Sequence, residues 1–231
     1  MSPKIRIDGV YDYTTFNHLS NLGIEDFLFD CRPLSFQFIQ QHCLNDILIE
    51  YQRPFQNYYL QFADEKDFVI QKLLRDLKET LKGPELEKKE VFLEFSGQEE
   101  VDFMESFQVP FYKQIEETTY LKPLLNSLYL KGMVFPFSYF AQLKEKGELD
   151  RFQDYFEQEM AQFQSLDIVL KLDWDDNVFG SLFDRFSFKQ VSFPINANIE
   201  SAYRQVNLKK AEEEIQFFID NGLMGRVNKS I

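Results

Sequence analysis

Cysteine and histidine are nearly absent from this chain, with two of each in 231 residues. Cys31 and Cys43 set up neither a disulfide framework nor a zinc spacing. They read as small buried thiols, one on a strand and one on the helix after it. His18 and His42 stand in no ligand pattern with a cysteine or carboxylate, so they read as helix-face residues. No metal and no cofactor is expected. The chain also lacks a G-x-G-x-x-G or Walker A segment, which removes the usual glycine-loop nucleotide sites. No run of 18 apolar residues occurs, and the opening MSPKIRIDGV has no apolar signal core. The expectation is a soluble, cytoplasmic protein. Positive charge is short too: 25 Lys and Arg face 38 Asp and Glu, a net charge of −13. Nucleic acid and anionic membranes select for clustered cations, so neither is expected as a partner.

What is abundant is apolar, and above all aromatic. Hydrophobic residues make up 44% of the chain and Phe alone occurs 26 times, enough for one sizeable core packed largely by rings. No flexible linker divides the sequence, so a single domain over 1–231 is expected. Short apolar runs alternate with longer amphipathic stretches. Eight runs read as strands: 4–10, 26–32, 56–62, 91–97, 110–115, 132–138, 167–174 and 190–197. Helical spacing is clearest over 66–82, where Ile70, Leu73, Leu74, Leu77 and Leu81 share a face. A second such stretch, 208–221, aligns Leu208, Ala211, Ile215, Phe218 and Ile219. Strands alternating with helices pair in parallel, and eight such units imply a closed (β/α)8 TIM barrel of the α/β class. A doubly wound open sheet is the fallback.

Period-two alternation divides several strands into an apolar and a polar side. Ile5 and Ile7 oppose Lys4, Arg6 and Asp8; Leu93 and Phe95 oppose Glu94 and Ser96; Leu170 and Leu172 oppose Lys171 and Asp173. In a barrel wrapped by helices the apolar set faces outward and the polar set faces the interior, towards the strand C-termini where barrel sites lie. Arg6, Asp8, Glu94, Lys113, Lys171 and Asp173 are thereby expected in one small volume, with charges that sum to zero. The same pattern fits either a working site or a paired network that only fills the interior.

Several of these segments, in order, resemble phosphoribosylanthranilate isomerase, a barrel that performs an Amadori rearrangement. Arg6-Ile7-Asp8-Gly9 stands where that family has K-I-C-G, and Cys31-Arg32-Pro33-Leu34-Ser35-Phe36-Gln37 is similar to its F-x-P-x-S-P-R. Glu94-Phe95-Ser96-Gly97-Gln98-Glu99 resembles Q-L-H-G-x-E, Lys113 matches an inward lysine, and Asn196-Ala197-Asn198-Ile199-Glu200 resembles N-S-G-V-E. The resemblance implies that Asp8 holds the position of the general base; Lys113, Lys171 and Asp173, from the inward charged set, are further catalytic candidates. It implies substrate binding by Arg6, Arg32, Glu94, Ser96, Asn196 and Asn198, for a small-molecule ligand at the strand C-terminal face.

The chain departs from the family at decisive points. The general-acid position falls at Phe137 or Ser138, neither of which carries a carboxyl. The glycine loops that grip phosphate are replaced by Leu170-Lys171-Leu172-Asp173-Trp174 and by Ala197-Asn198, and Gln37 stands where a substrate-contacting Arg is expected. Trp174 reads either as a stacking platform or as rim packing. The stretch 139–166 carries Phe152, Tyr155, Phe156 and Phe163, which either pack on the barrel as its sixth helix or form a protein-partner or homodimer surface. Three functions follow. The expected one is a binding or interaction protein that does not catalyse the parent reaction. The second is an isomerase- or lyase-type enzyme on a small carbonyl or sugar-like substrate, with Asp8 as base and Lys113 or Lys171 as amine. The third is the parent isomerase, a reading that fold likeness alone does not establish.

Overall fold

The structure, a computed structural model, describes residues 3–50, 53, 55–80, 90–116, 121–160, 166–176 and 178–221. Its centre is a closed parallel barrel: β1 (Lys4–Asp8), β2 (Asp26–Asp30), β3 (Asn57–Phe62), β4 (Val91–Phe95), β5 (Phe111–Gln114), β6 (Leu130–Pro136), β7 (Asp167–Lys171) and β8 (Gln190–Pro194), in that order. Parallel pairing of β1 with β8 from Lys4–Gln190 to Asp8–Pro194 closes the ring and removes the open sheet as an alternative. All eight expected strands form. Most are shorter than expected because chain beyond their C-terminal ends turns into the loops of the barrel mouth, whereas β6 begins two residues early at Leu130.

Helices α1 (Tyr13–Asn21), α2 (Gln41–Glu50), α3 (Asp67–Thr80), α4 (Val101–Glu105), α5 (Leu121–Leu125), α6 (Phe137–Glu145), α7 (Leu149–Met160), α8 (Ser181–Arg185) and α9 (Leu208–Asn221) surround the ring. Asp12 caps α1, accepting from Thr15 N at 2.9 Å and from Thr15 Oγ at 2.8 Å. Ile70 and Leu77 of α3 are buried, while Leu81 lies outside the described residues. On α9 Ala211, Ile215 and Phe218 face the barrel, but Ile219 is 52% exposed. Adjacent helical positions diverge by about 100°, so one stripe cannot hold both Phe218 and Ile219. Among the described residues no helix is long and apolar enough to cross a membrane.

The stretch 139–166 forms parts of two helices, not one. Gly147, with φ of 68°, turns the chain between α6 and α7 in a left-handed conformation that costs glycine little. The turn folds α7 back onto the barrel. Phe152 and Phe156 then join Phe135, Phe140 and Phe186 in a ring cluster with centroid separations of 5.0–6.3 Å. Tyr155 is exposed and Phe163 lies outside the described residues.

Inside the ring, side chains stack in layers. Leu28, Tyr59, Phe92, Tyr112, Val134 and Val169 form an apolar middle. Gly132 makes room there, because a Cβ would lie 2.5 Å from Asp167 O and 2.6 Å from Tyr112 Cε1. Towards the strand N-termini, Tyr59 Oη donates to Asp26 at 3.1 Å and Tyr112 Oη donates to Asp167 at 2.8 Å. Gln190 donates to Asp26 at 2.9 Å. These bonds close the bottom of the barrel and leave its top for charge.

Candidate functional site at the barrel mouth

The top layer starts with two residues of one strand. Arg6 and Asp8 are two apart on β1 and therefore point the same way, into the ring. Arg6 grips Asp8 bidentately, through Nε at 2.8 Å and Nη2 at 3.2 Å. Its Nη1 lies 2.8 Å from Glu94 Oε2 on β4, a close charge contact without hydrogen-bond alignment. Lys171 at the end of β7 brings Nζ to 3.7 Å from Asp8 Oδ2, the oxygen that also accepts from Arg6 Nη2. Two cations and two anions thus meet in one volume and cancel.

Burial and neighbouring charge shift the titration of two of these groups, Arg6 and Glu94. Desolvation works against charge on Arg6, but Asp8 and Glu94 more than offset it and hold Arg6 above its ordinary value. The guanidinium also lies 4.8 Å from the centre of the Tyr59 ring. Glu94 is completely enclosed, and that desolvation, aided by repulsion from Asp8, raises its pKa despite Arg6 and Lys171. Neither Glu94 oxygen has a hydrogen-bond partner, nor does Ser192 Oγ.

Two expected members of this cluster sit elsewhere. Lys113 pairs in register with Phe95 and Met133, both of the core outside the ring, so it faces away from the barrel interior. Its ammonium reaches up to Gly97 O at 2.5 Å and Glu99 at 3.1 Å. A register shift between Phe111 and Tyr112 accompanies this, and the inward position at the end of β5 falls on Gln114, beside Val134. Asp173 is drawn to the rim, where it accepts from Asn196 at 2.9 Å and from Asn198 at 3.1 Å.

The other candidates form the wall of the mouth. Arg32 is fastened to Asp30 through Nε at 2.8 Å and Nη2 at 2.6 Å, with Nη1 donating to Ser96 Oγ at 3.3 Å. Gln37 donates to Ile195 O at 2.8 Å, tying the loop after β2 to the end of β8. Trp174 donates to Pro194 O at 2.5 Å and stacks on Phe193 at 4.9 Å, which makes it rim packing. Where the resemblance led a general acid to be expected, Phe137 packs on Phe179 at 5.8 Å and Ser138 is exposed. Among the described residues no three His, Cys, Asp or Glu side chains gather as a metal would require. Asp30, Gln61, Gln114 and Ser192 complete the interior. Alternation alone pairs Gln61 with Tyr59 and Gln114 with Tyr112, the signal that could have placed both inside.

No protein-family model matches the sequence, and neither does any curated protein. Solved structures do match over almost their whole length. Phosphoribosylanthranilate isomerase from Thermotoga maritima superposes with a TM-score of 0.63 at 12% identity, over 93% of this chain and 97% of that one. The Thermus thermophilus isomerase gives 0.59 at 12% identity, over 92% and 98%. An isomerase in complex with reduced 1-(o-carboxyphenylamino)-1-deoxyribulose 5-phosphate gives 0.61 at 12% identity, over 93% and 97%. The chain therefore has the fold of phosphoribosylanthranilate isomerase, a (β/α)8 barrel strongly diverged in sequence.

Proposed function

We propose that this chain is a binding barrel that does not perform the Amadori rearrangement of the enzymes whose fold it shares. The observation that carries this reading is the state of Asp8. The carboxylate in the base position has both oxygens on a buried guanidinium and an ammonium beside it. A general base must turn a free lone pair towards the substrate proton, and two charge-assisted bonds leave little drive to do so. Support comes from the absence of a carboxyl at Phe137 and Ser138. Further support comes from Asp173, whose charge repels phosphate where glycine loops would have received it. Among the described residues of 139–166, Tyr155 is the exposed aromatic that a protein partner or second copy would meet, since Phe152 and Phe156 already pack on the barrel. The test is growth of a tryptophan auxotroph lacking the isomerase. No rescue by the expressed, folded chain is the expected result, and robust rescue would overturn the reading.

One observation favours a second reading, an enzyme of changed specificity. Lys171 has its side chain 25% exposed at the mouth and is held only by the 3.7 Å contact with Asp8. Such an amine is placed to attack a small carbonyl compound. Borohydride reduction in the presence of small aldehydes and ketones checks this by mass. An adduct on Lys171 supports it, and an unmodified protein excludes it.

A further inference from the structure

Three inward side chains at the mouth have hydrogen-bonding capacity that the fold does not fill. Gln61 on β3 lies level with Asp30 and Glu94, Gln114 on β5 lies level with Val134, and Lys171 on β7 lies level with Ser192. None of the three hydrogen-bonds to another described residue, and Lys171 has only its longer ion pair. At the same level the enclosed Glu94 carboxylate, held by the charge of Arg6, and Ser192 Oγ make no hydrogen bond. The two amides and the ammonium, the members of this set within reach of the mouth, offer both donors and acceptors. Leaving such groups unfilled is unfavourable, so something polar that both donates and accepts completes them.

Charge narrows its identity. Arg6 and Lys171 balance Asp8 and Glu94, and Arg32 balances Asp30, so neither an anion nor a cation finds an unmatched partner. Phosphate meets Asp173 on the rim, fixed there by Asn196 and Asn198. Hydroxyl groups meet every requirement, since each is a donor and an acceptor without charge. We propose that the mouth, floored by Gln61, Gln114 and Lys171, binds a small, neutral, hydroxyl-rich molecule. This rests on the reading of the mouth as a binding site and supplies its ligand class.

The test is calorimetry and ligand-observed NMR on the full chain with D-ribose, ribitol, D-ribose 5-phosphate and inorganic phosphate. The expected result is millimolar binding of ribose or ribitol, none of phosphate, and no gain in affinity from the 5-phosphate. Gln61→Leu and Gln114→Leu are each expected to weaken the neutral ligand by about tenfold. Should Gln61→Leu fail to fold, Gln114→Ser at the partly exposed position carries the same comparison. Absence of binding by both neutral probes would overturn the proposal. So would unchanged affinity in the folded variants, or a 5-phosphate bound about tenfold tighter than ribose. Failure here leaves the auxotroph result untouched, and rescue of the auxotroph leaves these affinities to stand or fall alone.

Discussion

A fully buried arginine is tolerated in this barrel because two carboxylates are buried with it. Removing one partner leaves charge without compensation. Asp8→Ala is expected to cost about 3 kcal/mol of stability, read by denaturant unfolding. A loss within the range of ordinary surface substitutions, about 0.5 kcal/mol, would show that Arg6 does not depend on Asp8. Glu94 gives a prediction with a sign. Its carboxyl titrates near 4.5 in an unfolded chain and higher in the folded one, because burial opposes its charge. Between those values the folded state holds the extra proton. The stability from this group is therefore full below pH 4.5 and is lost as pH rises through the folded value. Glu94→Gln should remove that decline. Subtracting the two stability–pH curves isolates it from Asp26, whose buried carboxyl is shifted the same way. Parallel curves would mean that Glu94 titrates alike in both states.

At the scale of strands and helices, room inside the ring is as limiting as charge. Gly132 on β6 sits where a methyl group would strike the backbone carbonyl of Asp167 and the Tyr112 ring. Gly132→Ala should therefore destabilise by about 2 kcal/mol, seen as a lower Tm, and full stability would show that β6 and β7 yield freely. The eight strands were legible because their apolar runs are short and regularly spaced, and alternation correctly turned Arg6, Asp8, Glu94 and Lys171 inward. The same alternation sets Lys113 beside Phe111 and Ile115, on the outward side. Grouping Lys113 with the inward charges passed over that signal and misplaced it. Asp173 was misplaced because it lies past the end of β7, where loop contacts to Asn196 and Asn198 replace the strand's period. The polar bottom formed by Asp26, Tyr59, Gln190, Tyr112 and Asp167 was illegible, since its bonds join strands distant in sequence.

On the scale of the whole molecule, an excess of 13 negative charges surrounds an interior whose central ion pairs cancel. The barrel shape is shared with the isomerases, while the charged groups Arg6, Asp8, Glu94, Arg32 and Asp30 at its mouth are paired with one another. The most direct measurement is the conversion of phosphoribosylanthranilate to 1-(o-carboxyphenylamino)-1-deoxyribulose 5-phosphate by the purified, folded chain at high protein concentration. The engagement of Asp8 by Arg6 predicts product at the uncatalysed rate and no faster. Product formed with saturable kinetics, and lost in Asp8→Asn, would contradict it.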